Sequence, residues 1–341
     1  MLPNNNSKKI FSPPRGDVRR TEGLSSGKKK NKILTTRQKA YTALTLTSTV
    51  WGTSWVASKI AVQKVPGLEI ASVRQFIAGV ILLSFFFLRG HKLPTKKEFL
   101  WLTMMGALLF VSANGIATLA LKTIPSGMGA LISALYPLSV VIIERLFFRN
   151  TRITFITFAG LLLGIGGIAV VFYDNAFHNH AEGYSWGVIL SVIAMLSWSI
   201  GTIVLARTKL KINPYYATGW EMLISSFILM IMLFISGNSI PVSQIPMSAW
   251  SAIAYLIIAS NIITFAAFIY TMKHLEPAVA ALYAYINPII AIFVGSFVVG
   301  EKLTWKIIAG SVITLIGVYL VNQSLRKQRE ALAAVADADA M

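Results

Sequence analysis

The chain of 341 residues is 55% hydrophobic and only 13% charged, with mean hydropathy +0.66, which excludes a soluble domain of this size and marks an integral membrane protein. It holds no cysteine, so disulfides, thiolate metal sites and thiol catalysis are excluded. The formal charge of +18 is not a nucleic-acid footprint, because half of it, a net +9, sits in residues 1 to 40.

That first segment contains Asn4-Asn5-Asn6, Pro13-Pro14 and Lys28-Lys29-Lys30 and too few apolar residues for a core, so it reads as a disordered basic tail. A signal-peptide n-region is the alternative. However, the first apolar stretch starts near residue 41, is span-length and has no small-residue cleavage site after it. The tail is expected to be retained in the cytoplasm, where it sets orientation or also touches anionic lipid.

A membrane-spanning helix needs about 20 apolar residues. Ten such stretches follow the tail. The first five run from Tyr41 to Val62, Ile70 to Leu88, Phe99 to Leu121, Pro125 to Phe148 and Thr154 to Tyr173. The second five run from Trp186 to Ala206, Pro214 to Ile235, Ala249 to Met272, Pro277 to Val299 and Trp305 to Val321. Lys and Arg alternate with this count: 25 fall on the side of the tail, and five (Lys59, Lys64, Lys122, Lys302 and Lys306) fall on the other. The expected fold class is therefore all-α integral membrane, with ten transmembrane helices and both termini cytoplasmic.

The two sets of five are copies. Trp51 pairs with Trp198 and Arg74 with Glu221 at a spacing of 147, and Pro137 pairs with Pro288 at 151. An odd number of crossings forces the second copy into the membrane upside down, which is the inverted repeat of secondary transporters, with a site expected at the midplane between the halves. The expected repeats are residues 41–173 and 184–322, followed by a cytoplasmic C-terminal tail at 323–341.

Within the spans, Pro137 and Pro288 each lie roughly 17 Å along their helices, near mid-bilayer. Each removes one backbone bond and frees the carbonyl four residues back, that of Ser133 or Ala284. The reading is a cavity wall or a packing kink. Tyr283 and Asn287 share a helix face, and Tyr136 occupies the position equivalent to Asn287. Trp51 and Trp55 also share a face, and a deep Trp51 or Trp198 packs against protein rather than lipid. Asn114 and Asn261 are buried amides, either interhelical glue or substrate contacts. Arg74 is a candidate for holding a substrate carboxylate or an outer gate, and Glu221 for attracting a cation or carrying a coupling proton. Snorkelling to interfacial water is the bland alternative for both.

The run Trp51-Gly52-Thr53-Ser54, Arg74 early in helix 2, Ala134 to Leu138, Tyr283 to Pro288, Gly300-Glu301-Lys302-Leu303-Thr304 and Gly310 together resemble the drug/metabolite transporter superfamily, EamA type, over about residues 41 to 322. The first half departs from this pattern, carrying Asn150 to Thr154 without the glutamate, so only Glu301 can serve any role that residue has. The resemblance implies helices 1 to 4 and 6 to 9 around a central cavity, with helices 5 and 10 outside. It also implies export of amino acids, other metabolites or toxic organic compounds from a bacterial inner membrane, with the monomer as functional unit.

The Gly160-Gly164 face is expected to serve internal helix packing rather than dimerisation. His178 and His180 lack a third ligand, and no phosphate-binding loop is present, so neither metal, cofactor nor ATP hydrolysis is expected. The four histidines all lie near loops, which argues against a membrane enzyme. The expected partners are a small molecule and the lipid bilayer, not nucleic acid. The expected function is secondary transport of aromatic or apolar amino acids, with an organic-cation efflux carrier, a lipid flippase or a channel as alternatives.

Overall fold

The computed structural model describes residues 35–148, 153–177, 182–208 and 211–339. The basic tail up to residue 34, residues 150–152 of the departure from the family pattern, and His178 and His180 lie outside the described residues. Every regular element among the described residues is a helix. In chain order these are α1 (Thr36–Val62), α2 (Gly67–Leu88), α3 (Lys96–Ala120), α4 (Ser126–Phe148) and α5 (Phe155–Phe177). They continue as α6 (Tyr184–Arg207), α7 (Pro214–Ser236), α8 (Met247–His274), α9 (Tyr283–Val299, after a short turn at Pro277–Ala280) and α10 (Trp305–Asp339).

Among the described residues seven segments are long and apolar enough to cross a membrane: α2, α3, α4, α6, α7, α8 and Trp305–Gln328 of α10. Shorter apolar stretches, Phe155–Val171 and Tyr283–Val299, lie in α5 and α9. With helices satisfying their own backbone, this is a multi-pass integral membrane protein.

Helix α1 has 27 residues but is richer in hydroxyls than the others. Those hydroxyls close back on the helix: Thr47 Oγ1 donates to Ala43 O, Ser48 Oγ to Leu44 O and Ser54 Oγ to Trp51 O, each at 2.8 Å. These three hydroxyls are thereby satisfied within the helix. The helix starts five residues before the expected apolar stretch, because Thr35 and Gln38 form a reciprocal capping box. At the other terminus α10 runs on to Asp339, through the expected tail. Residues 322–339 contain neither Gly nor Pro, and an Arg326–Glu330 ion pair of 2.6 Å, one turn apart, supports the extension.

Helix α1 packs against α4, α8 and α9; α2 packs on α7, α3 on α6, and α5 on α10. The α5–α10 crossing is close because glycines face each other. A Cβ at Gly317 would lie 2.6 Å from Gly160 O, and one at Gly310 would lie 2.6 Å from Gly167 O. The Gly160 face therefore packs inside the molecule.

Two local features shape the interior. Helix α3 is wound as a π-helix over Ala107–Gly115, and α8 over Leu256–Thr264, at matching places in the two halves. Helix α4 breaks at Ala134 and Leu135, just ahead of Pro137, which has no N–H to offer Ser133 O. The equivalent break falls at Ala281 and Leu282, between the short helical turn Pro277–Ala280 and α9, while Pro288 lies inside α9. The breaks are thus 147 residues apart although the prolines are 151 apart. Pro288 does not mark its helix's interruption.

Candidate functional site

An interior cavity of about 160 Å³ is walled by α1, α2, α3, α4, α6, α8 and α9. None of its lining comes from α5, α7 or α10. Its aromatic part is built around Trp51. This indole meets Trp198 edge-on at 6.4 Å between ring centres, Phe265 at 5.2 Å and Tyr283 at 5.4 Å. Tyr136 stacks on Tyr283 at 6.3 Å with ring planes 16° apart. Edge-on and offset contacts are the geometries that aromatic quadrupoles favour, so the cluster is well packed from both halves of the chain.

From Trp51 the wall follows one stripe of α1 through Ser54, Trp55 and Ser58 to the end where α1 finishes. Trp55 reaches across to α4, where a Cβ on Gly129 would lie 2.9 Å from its ring. Arg74, two turns into α2, lines the same part of the cavity. Its Nη2 donates to Asn114 Oδ1 and, at 3.0 Å, to Thr118 Oγ1. Thr118 in turn donates to Asn114 O at 2.9 Å, so α2 and α3 are joined by one polar cluster on the cavity wall. On α9, the Asn287 amide nitrogen donates to Ser48 O at 2.8 Å and Tyr283 O at 3.1 Å, which fixes that helix to α1.

Of the residues singled out in the sequence, Trp51, Trp55, Arg74, Asn114, Tyr136, Trp198, Tyr283 and Asn287 lie around this single cavity. Four do not. Pro137 and Pro288 are buried in their helices, and the residues whose carbonyls they free, Ser133 and Ala284, line the cavity instead. A proline acts here on the position four residues back. Asn261 is 1% exposed and off the wall, whereas its neighbour Ser260 is on it. Glu221 is buried on α7, packed toward α3 where a Cβ at Gly106 would lie 3.0 Å from its carbonyl oxygen. The repeat register places it at Arg74's equivalent position along the chain but not in the same chamber, because α7 contributes nothing to the lining. Among the described residues no ion pair joins Arg74 to Glu221, nor does any group of three or more His, Asp or Glu side chains suit a metal.

The sequence reading passed over Thr118, Ser58 and Phe265. Thr118 follows Asn114 by one turn and Ser58 follows Trp51 by two, so helical spacing alone carries the signal for both. It also passed over the closure at the end where α1 and α3 finish. Lys59 Nζ donates to the carbonyls of Leu121 and Ile124, both at 2.8 Å, and Lys122 Nζ donates to Val62 O at 3.4 Å, so each helix's lysine sits on the other's C-terminal carbonyls. Beside them Glu301 caps α4. One carboxylate oxygen accepts from Ser126 N at 2.6 Å, and the other accepts from Ser126 Oγ at 2.9 Å and Gly127 N at 3.4 Å. Gly300, at φ +73°, makes the left-handed turn that delivers this residue from the end of α9.

Comparison with known proteins is consistent with this architecture. The model of the EamA-like transporter family matches residues 38–173 and again 185–323, once for each half. The uncharacterized inner membrane transporter YedA of Escherichia coli is 34% identical over 280 residues, spanning 80% of this chain and 89% of its own. The uncharacterized transporter sll0355 of Synechocystis is 26% identical over 80% of this chain and 87% of its own. A WAT1-related chloroplastic protein of Arabidopsis thaliana is 24% identical over 80% of this chain and 66% of its own. A solved crystal structure superposes with a TM-score of 0.59 over 85% of this chain and 98% of that chain; at 17% identity it speaks to the fold alone. The chain belongs to the EamA-like transporter family and is a membrane transporter.

Proposed function

We propose that this transporter is a secondary carrier that exports small amphipathic metabolites, aromatic or apolar amino acids among them, across a bacterial inner membrane by alternating access. The observation that carries the reading is a chamber whose aromatic wall is contributed by both halves and whose lining also carries hydroxyls, amides and one guanidinium. Ten spans in two inverted sets of five, with both termini in the cytoplasm, are the topology in which such a chamber opens alternately to each side. The Lys/Arg distribution supports it, and it puts the Lys59, Lys122 and Glu301 closure at the external end. The organic-cation alternative loses support, since Glu221, the residue that favoured it, does not line the chamber.

Purified protein in liposomes is expected to show saturable uptake and counterflow of labelled tryptophan or leucine. Ohmic current or lipid scrambling without counterflow sinks the carrier in favour of a channel or flippase. Trp51→Ala and Tyr283→Ala are each expected to lower kcat/KM by about tenfold to a hundredfold, the scale of one buried aromatic contact of ~1.5–3 kcal/mol, with expression intact. Unchanged kinetics in both variants would remove the cluster from the transport path.

A further inference from the structure

We propose that Arg74 is the specificity-determining anion site of the chamber, and that the substrates are apolar or aromatic monocarboxylates whose carboxylate binds its guanidinium, an α-amino group being tolerated but not required. This rests on the carrier reading and narrows it.

The chamber holds an unbalanced charge. Arg74 is only 4% exposed, and among the described residues no carboxylate pairs with it. Its polar neighbours, Asn114 and Thr118, are both neutral and both engage Nη2 alone. Thr118 spends its own hydrogen on Asn114 O, so it serves Arg74 as an acceptor and the guanidinium stays aimed. Nε, which is fully buried, has no hydrogen-bond partner among the described residues. A guanidinium carries five N–H donors, so two neutral acceptors leave both its charge and several of its donors unmatched. A buried cation in this condition is costly and marks a functional group, because a bound anion removes the penalty.

The remaining lining sets the rest of the ligand. Arg74 is the only charged side chain among the described lining residues; the others are aromatic, small or hydroxyl-bearing. An organic cation would meet like charge with nothing to offset it. The ammonium of an amino acid would find hydroxyls and amides but no carboxylate. A single carboxylate joined to an apolar body matches both parts of this lining, its charge at Arg74 and its body against Trp51 and Trp198. A dicarboxylate would leave its second charge against the aromatic wall.

Binding to the purified, detergent-solubilised full chain tests this directly, with tryptophan fluorescence as readout because Trp51, Trp55 and Trp198 line the chamber. The probes are 3-phenylpropionate, its uncharged amide and 3-phenylpropylamine. The acid is expected to bind about ten- to a hundredfold tighter than the amide, the scale of a charge-assisted hydrogen bond, and the amine weakest of the three. Arg74→Gln is expected to bring acid and amide to within about threefold, and Arg74→Lys to retain part of the preference. Where Arg74→Gln does not yield folded protein, the order of the three probes on the native chain and the Arg74→Lys result decide. Equal binding of acid and amide, tighter binding of the amine, or no binding of the acid overturns the proposal. The transport reading fails separately: a clear acid preference without counterflow in liposomes would leave an anion site on a protein that is not a carrier. Counterflow with no acid preference would leave a carrier without this site.

Discussion

Replacing Gly317 by leucine is expected to abolish stable folding of the α5–α10 pair, the largest single effect on stability that the structure suggests. Even a bare Cβ there would lie 2.6 Å from Gly160 O, a backbone atom that cannot rotate away. The helices must separate along the whole crossing, at a cost of at least about 3 kcal/mol. In a bilayer no water-driven force returns them, since the lost contacts are van der Waals packing between close backbones. The measurement is the thermal transition and the monodisperse yield in detergent. Gly166→Ala on the partner helix α5 is the control, because nothing lies within 4 Å of its added Cβ, and it is expected to behave as the native chain. A Gly317→Leu protein of native stability would show that the two helices are not in contact.

The second large effect is expected at Glu301. Alanine there removes the acceptor for Ser126 N, Ser126 Oγ and Gly127 N together, at the positive end of the α4 dipole. Ser126 is completely buried, so its N–H has no water to turn to. A loss of ~2–3 kcal/mol follows from unsatisfied buried donors that had a charged partner. Transport is expected to fall as well, because α4 carries Ser133 and Tyr136 on the chamber wall. Glu301→Gln retains one acceptor without the charge and should lose about half as much. Gly295→Ala offers an independent route to the same defect: its Cβ would lie 2.6 Å from both the Glu301 carboxylate and Ser126 Oγ, forcing the cap apart with the carboxylate intact. Native stability in both Glu301→Ala and Gly295→Ala would mean that the cap contributes nothing.

What the sequence allowed to be read divides along physical lines. The aromatic stripe of α1 and the Tyr283–Asn287 pair were legible because a helix repeats every 3.6 residues and both ends of each pair lie on one unbroken stretch. Arg74 was legible because an ionised group inside a span stands out against an apolar background. Glu221 stands out equally, yet repeat spacing reports only position along the chain. Which side of α7 faces the chamber depends on how it packs against α2, where a Cβ on Gly79 would lie 2.8 Å from Leu223 N. Asn261 was placed by the same spacing, yet it is buried off the wall while its neighbour Ser260 lines the chamber. The Glu301 cap was beyond reach for another reason. Its partner is 175 residues away, and a loop residue has no periodicity that points to such a contact.

The π-wound segments make this protein's tolerance of a change in chain length depend on where the change falls. A π turn accommodates one residue more than an α turn, so each segment behaves as an insertion tolerated within a helix. Thr264 illustrates the wider winding, its hydroxyl donating to Ala259 O, five residues back. Deleting one residue within the segment, such as Leu108, lets α3 relax to ordinary winding with the turns on either side still in register, whereas deleting one from an ordinary α-helix, such as Ile77 of α2, rotates everything beyond it by roughly 100° relative to everything before. After the Leu108 deletion Ala117, Thr118 and Leu121 would therefore keep their places on the chamber wall. Circular dichroism is expected to show native helix content in both deletions, with binding kept when Leu108 is removed and lost when Ile77 is removed. Single-residue deletions scanned along α3 and α8 would therefore trace the boundaries of these two segments, which substitutions leave undetected.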